Sequence, residues 1–369
     1  MTIYIVSFLL NMLFGLALSI NGNGCYSRRE LNENKRKKKL YLFVTAVQLG
    51  LICGFRSTAM AYDTAAYKQI FDMCPDTWGE IFEKSSYVEP GFRVLCSLIK
   101  IFGGEYQTLL IITSLFVMGS CCIFIYRHSA DVLLSVFIII SFPFYYSSFD
   151  IIRHFMATAF FLLGYKYIEQ GKIIKFFIFI VMGSLFHSIA FVFFLFYFVK
   201  KIRWSWGLTA LAFVGAILMC IGIKPIAILI SSILGKSNGI ESGWIGSYGG
   251  GIKTALMYGL VLLIAILAFY LLKDKSRKDM CAVNYVLLLF VFSIIFINAR
   301  MMTRMIMTSI ALLAIAMPQL LDASRTRSLQ NRLLLKTGFV VIGLGYHAFM
   351  LLTNWQNVVP YIPYWSLNA

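Results

Sequence analysis

Apolar side chains arrive along this chain in unbroken blocks of 16 to 20 residues, with no polar residue recurring at any fixed period inside them. Strand alternation is absent, and so is the polar face of a helix lying on a soluble core; the pattern predicts helices that are apolar all round. Blocks of this length match the ~20 residues that cross a ~30 Å hydrocarbon layer. A closed membrane barrel would instead show ~10-residue alternating strands. Helices are the other way to satisfy every backbone group in lipid. The spacing predicts spans at 3–20, 40–55, 107–126, 131–147, 151–167, 204–222, 254–272, 280–297, 304–321 and 334–352. The fold class is therefore all-α and polytopic, with residues 1–369 as one integral membrane domain. The first block lacks a basic leader and a small-residue cleavage site, so it reads as a retained helix.

One stretch, Ile173 to Val199, fits two descriptions. It is either one long tilted helix or a re-entrant hairpin of two half-helices turning at His187-Ser188. Charge decides between them. With the hairpin, 22 of the 33 Lys and Arg fall on the cytoplasmic side and 11 on the outer side. With a single span everything downstream inverts, and the split becomes 16 against 17, which is no bias. The positive-inside rule favours the hairpin, ten spans, and both termini outside the inner membrane.

Composition sharpens this picture. Hydrophobic residues make up 60% of the chain and charged residues 13%, too little polar surface for a soluble globule of 369 residues. The net charge of +17 is divided among short clusters between apolar blocks, such as Lys35 to Lys39 and Lys273 to Lys278. None is attached to a soluble domain, so they mark topology and hold anionic lipid headgroups; nucleic acid is not a partner. The eight cysteines are scattered without CxxC or Cys/His metal spacing, and read as small core hydrophobes.

Two outer loops are long. The first, 56–107, carries Phe92, Leu95, Cys96, Ile99 and Phe102 on one helical stripe with Arg93, Ser97 and Lys100 opposite, which predicts a helix lying flat on the membrane. The second, 223–253, is glycine-rich and carries Trp244 and Tyr248; it has no GK[ST] and does not join a strand to a helix, so it is not a P-loop. Both loops are expected to contribute to the site.

Candidate chemistry gathers on the outer rim. Arg56, Arg153, Arg300 and Arg304 sit at or near span ends. A charge near membrane depth costs up to roughly 2.5–3.5 kcal/mol, so it usually has a partner. Arginine's planar fork suits phosphate oxygens, and the i, i+4 spacing of Arg300 and Arg304 would let both clamp one anion. The alternative is snorkelling to headgroups. Asp63 and Glu89 supply carboxylates in the first loop, and Asp150 precedes Arg153 by three residues, a spacing that also suits a simple local ion pair. Acids beside arginines suit glycosyl transfer from a lipid diphosphate: the carboxylate takes a proton from the attacking hydroxyl while cations neutralise the departing group. His187, at the proposed hairpin tip, either lines the outer cavity or is a hydrogen-bonded structural residue; His154 and His347 are weaker candidates. There is no DxD or HExxH, so neither a metal nor another cofactor is expected.

Ordered short motifs bring in a resemblance. Phe55-Arg56 followed by Asp63, Tyr67 and Phe71, then Glu89-Pro90-Gly91-Phe92, Ile152-Arg153 with Ala157, Phe186-His187-Ser188, Arg300 and Pro360-Tyr361 cover nearly the whole chain. In that order they resemble the EpsG-like branch of Wzy-type polysaccharide polymerases. His154 departs from the glutamine usual after the arginine, and Asp150 stands where a neutral polar residue is usual.

The resemblance implies a metal-independent membrane glycosyltransferase without a cofactor. Its substrates would be undecaprenyl-diphosphate-linked oligosaccharide repeat units, made into capsule, exopolysaccharide or O-antigen at the bacterial inner membrane. A chain-length regulator would be a further partner. Carried onto this sequence, Arg153, Arg300 and Arg304 hold the donor diphosphate with Arg56 assisting. Asp63 or Glu89 is the base, His187 lines the pocket, and Trp244 and Tyr248 stack on sugar rings. Two other readings share the charged rim: a ligase or other transferase using the same lipid carrier, and a transporter of lipid-linked saccharide. The near-absence of mid-span charges counts against the transporter.

Overall fold

The backbone groups of the apolar blocks are satisfied within helices, as lipid requires. The computed structural model describes residues 1–18, 28–81, 88–234, 251–299 and 302–367. Among them, extended pairing is limited to two isolated bridges, Arg56 with Pro363 and Leu272 with Thr326. The chain divides into two units, Met1–Phe198 with Tyr346–Ala369, and Val199–Gly345.

The first unit is built on α1 (Thr2–Ala17), α2 (Arg28–Gly54), α5 (Tyr106–His128) and α8 (Ile152–Glu169). Two short helices of the 56–107 loop, α3 (Thr64–Met73) and α4 (Pro90–Ile101), precede α5. The block at 131–147 is not one helix. It forms α6 (Val132–Ser141) and a single turn, α7 (Phe144–Ser147), because Pro143 cannot continue the backbone ladder. Phe142 before it is extended (φ −107°, ψ 167°), as a residue preceding proline should be. At ~1.5 Å per residue α6 reaches only ~15 Å.

Helix α4 also departs from expectation. Its Ser97, placed on the polar face by the sequence pattern, is fully buried, whereas Phe102 is 78% exposed. The helix packs against α3 and α5, with Tyr67 and Phe92 ring centroids 5.8 Å apart, instead of lying on lipid by its apolar stripe.

The stretch from Ile173 to Val199 breaks at Leu185–Ile189. Helix α9 (Ile173–Ser184) runs to the break, and α10 (Ala190–Phe193) with α11 (Phe196–Val199) runs back along it. Phe176 stacks on Phe194 and Tyr197, and the Tyr197 hydroxyl donates to the Gly171 carbonyl at 2.8 Å.

The second unit holds α12 (Trp206–Leu234), α13 (Gly251–Tyr270), α14 (Arg277–Phe296), α15 (Thr303–Leu320) and most of α16 (Leu329–Leu352). Helix α12 continues past the expected end at residue 222, with Pro225 inside it. Among the described residues, six helices are long and apolar enough to cross a membrane: α5, the 206–223 part of α12, α13, α14, α15 and α16. They differ in what their apolar faces meet. In α15, 83% of the span is buried in protein, while 17% of α12 and 22% of α16 are. Leu211, Leu218 and Ile221 of α12, and Leu334 and Leu352 of α16, lie 64–77% exposed. Large apolar surface of this kind on a helix of spanning length is the face a lipid tail covers.

Unit two also contains a buried ion pair that the sequence reading passed over. Ser276 and Asp279 form a capping box at the start of α14. The fully buried Asp279 carboxylate also takes both guanidinium arms of Arg325, at 2.7 and 2.8 Å, and the Gln319 amide. The S-x-x-D spacing is a legible N-terminal signature.

Candidate functional site

Three segments of the first unit converge on Arg153. It lies in the first turn of α8, where the helix dipole already presents positive charge. A cation there needs compensation, and Glu89 supplies it: the Arg153 Nη1 donates to Glu89 Oε2 in a close ion pair. Both side chains are only 21–23% exposed, so the pair is partly desolvated and its geometry counts for more than a surface pair's would. Tyr67 completes the cluster from α3, its ring 5.7 Å from the guanidinium carbon.

Glu89 is the N-cap of α4, with Pro90 at the first helical position. Its side chain does not cap its own helix. Instead Oε1 accepts the Ser188 N–H at 3.3 Å and lies 3.9 Å from His187 Nδ1. The contact is possible because Gly91 lies against the α9–α10 turn, its N–H bonded to the Leu185 carbonyl at 2.8 Å. A Cβ on Gly91 would sit 2.7–2.8 Å from the Leu185 Cβ and carbonyl oxygen, so only glycine allows this approach. His187 Nδ1 accepts the Ile189 N–H at 3.2 Å, which leaves the proton of the neutral ring on Nε2. Its ring meets that of the fully buried His154 at 6.2 Å.

Asp63 stands at the N-terminal end of α3, one turn before Tyr67. Its backbone N–H donates to Asp150 Oδ1 at 2.7 Å. Asp150 therefore holds the loop carrying Asp63, while Arg153 takes Glu89 as its ion-pair partner, an arrangement unlike the local pair that three-residue spacing suggested. Burial, reinforced by the nearby Asp63 charge, pushes the Asp150 carboxyl up to about 6; it sits in the turn before α8, outside the spans. The same loop is clasped by the chain's last described segment. Ser57 N–H bonds Ile362 O at 2.8 Å, Ala61 N–H bonds Asn357 O at 3.0 Å, and Tyr364 N–H bonds Phe55 O at 3.0 Å. Ala61, at φ +63°, takes a left-handed conformation that a non-glycine residue adopts at a cost.

The chain matches the EpsG family over residues 39–364, nearly its whole length. It belongs to the EpsG family. That membership points to a membrane protein of polysaccharide biosynthesis. No curated protein and no solved structure matches it.

In this EpsG-family protein Glu89, Arg153 and His187, drawn from three separated motifs, meet in one cluster, with Asp63 a helical turn from Tyr67 at its edge. Arg56 is placed differently. It has no exposed surface; its Nη1 donates to the Cys53 carbonyl, its guanidinium lies 5.6 Å from the Phe149 ring, and its Nε and Nη2 have no protein acceptor. Arg304 is in the first turn of α15, half-buried, in the second unit. Arg300, Trp244 and Tyr248 lie outside the described residues. His347 accepts or donates to the Tyr146 hydroxyl at 3.2 Å within the helical core. Among the described residues, no three His, Cys, Asp or Glu side chains converge as metal ligands would. The sequence reading gave no role to Tyr67 or to the Ser188 N–H. Tyr67 was legible as the residue one turn after Asp63; the backbone donor had no sequence signal.

Proposed function

We propose that this EpsG-family protein joins undecaprenyl-diphosphate-linked oligosaccharide repeat units into a surface polysaccharide on the outer face of the bacterial inner membrane. In this reading the basic loops face the cytoplasm, ten spans and a re-entrant pair at 173–199 cross or enter the bilayer, and both termini lie outside. The supporting observation is the half-buried Arg153, paired with Glu89 beside His187 at the start of α8.

The chemistry follows from that pairing. A donor diphosphate offers Arg153 more negative charge than one carboxylate does and matches its donor fork. As the diphosphate engages Arg153, the Glu89 oxygen that held it is released. Asp63 or the released Glu89 takes the proton of the acceptor hydroxyl. The hydroxyl oxygen bonds to the anomeric carbon, and the carbon–oxygen bond to the diphosphate breaks. The departing undecaprenyl diphosphate leaves with its charge neutralised by Arg153. His187 lines the pocket, and Trp244 and Tyr248 contact the saccharide. No metal or other cofactor is assigned a step.

Deleting the gene in the native host and resolving surface glycans on a gel tests the proposal. Collapse of long polymer to a single lipid-linked or ligated repeat unit supports polymerisation. Polymer of normal length missing from its final attachment points instead to a ligase, and repeat units trapped on the cytoplasmic side to a transporter.

A further inference from the structure

Helices α3 and α4 are packed in register by a run of contacts at one end of the first outer loop. Tyr67 of α3 meets Phe92 of α4, ring to ring at 5.8 Å. Two turns after Tyr67, Cys74 caps the C-terminus of α3; one turn after Phe92, Cys96 faces the same interface. One turn further, Lys100 extends its ammonium to the carbonyl oxygens of Cys74 and, at 3.1 Å, of Asp72. Residues four apart share a helix face, so Cys96 stands on the α4 face from which Lys100 reaches the Cys74 backbone. The two thiols are joined by a side-chain hydrogen bond and are 5% and 0% exposed. Both are free in this structure.

We propose that Cys74 and Cys96 form a disulfide in the mature protein, tying α3, which carries Tyr67, to α4, which Glu89 begins. The proposal rests on the outer placement of residues 56–107 given above, because disulfides persist in oxidising compartments. The hydrogen bond from Cys96 draws the Cys74 thiol below its ordinary range, and the same bond together with burial raises that of Cys96. Of the two, Cys74 is the thiol that gives up its proton first and attacks, and Cys96 the one that resolves. The oxidant is an external protein disulfide. The Cys74 thiolate attacks one of its sulfurs and expels a thiolate, leaving a mixed disulfide. Cys96 loses its proton, attacks the Cys74 sulfur and expels the second thiolate. Two thiols of this chain become one disulfide, and the oxidant is reduced to a dithiol.

The test is thiol counting on the full-length protein taken from its native membrane. Cells are quenched in acid and the protein is denatured in SDS. It is then alkylated with a maleimide that adds a fixed mass per thiol, with and without prior reduction. The wild type should show two fewer reactive thiols without reductant than with it. Cys74→Ser and Cys96→Ser should each give counts that reduction does not change. Equal wild-type counts would overturn the proposal, and diamide treatment of the purified protein then says why. A loss of two thiols on diamide means that the pair is sound and the outer placement is wrong. No loss means that the sulfurs do not meet. The count needs no polymer to form, so it stands or falls separately from the glycan assay.

Discussion

At the scale of single residues, Arg153 and Asp150 show how charge is managed close to a membrane. Arg153→Ala should abolish chain extension while leaving protein level unchanged, read as loss of the glycan ladder beside an unaltered immunoblot. Wild-type-length polymer from that variant would remove Arg153 from the mechanism. Asp150 makes a prediction of opposite character. Its folded-state pKa is raised from 3.8 to about 6, so between those values the folded protein holds the proton that the unfolded chain releases. Stability should therefore fall as pH rises from about 4 to about 6, and the cost, roughly 3 kcal/mol for a shift of about two units, is fully present above that. Asp150→Asn removes the buried charge and keeps an oxygen for the Asp63 N–H. Thermal melts in detergent should show it more stable than wild type at pH 7.5 and nearly indifferent to pH between 4.5 and 7.5. A lower melting temperature at pH 7.5 would mean that attraction to Arg56 outweighs burial. Arg153, Glu89 and His187 were legible as separate short motifs because each combines a polar side chain with an apolar neighbourhood. That Glu89, and not Asp150, pairs with Arg153 was not legible, since that choice depends on how two distant helix starts approach in space.

Helices α5 and α8 lie close to the apolar blocks expected at 107–126 and 151–167. The helix starting at Ile173 ends at Ser184, near the turn proposed at His187-Ser188, and α13 to α16 follow their apolar blocks closely. The pattern failed at 131–147 and on α4. Pro143 divides the first, and in α4 the amphipathic stripe is turned toward α3 and α5, a partner choice that periodicity cannot encode. Gly91 tests how tightly two elements are joined. Gly91→Ala should push α4 off the Leu185 carbonyl, cost about 1–3 kcal/mol, and shorten or erase the polymer by displacing Glu89. Gly119→Ala, inside α5 with open space around its Cβ position, is the matched control and should leave the glycan unchanged without lowering the melt. Within the second unit, Arg325→Met should leave Asp279 buried without its ion-pair partner and destabilise by about 3 kcal/mol. That loss would appear as reduced recovery of folded protein, and restoring it with Asp279→Asn on the same background would identify the stranded charge as the cause.

For the whole molecule, the distribution of lysine and arginine carries the topology. If both ends lie outside, as proposed above, alkaline phosphatase fused after residue 369 should be active and a cytoplasm-dependent fluorescent reporter at the same place dark. The reverse result would invert the second half and remove the hairpin's justification. One further property follows from the clasp between the 56–107 loop and residues 357–364. Tyr361 bonds the carbonyl of Ile52 across a separation of 309 residues, and its neighbours hold Ser57 and Ala61. During synthesis at about 5–20 residues per second, the loop bearing Asp63 must wait on the order of 15–60 s for the strand that pins it. Early helices can therefore enter the bilayer long before this loop takes its working shape. A nascent chain stalled before Asn354 would sit in the membrane with its 56–107 loop unlatched, so the clasp makes readiness for work contingent on synthesis passing Tyr364.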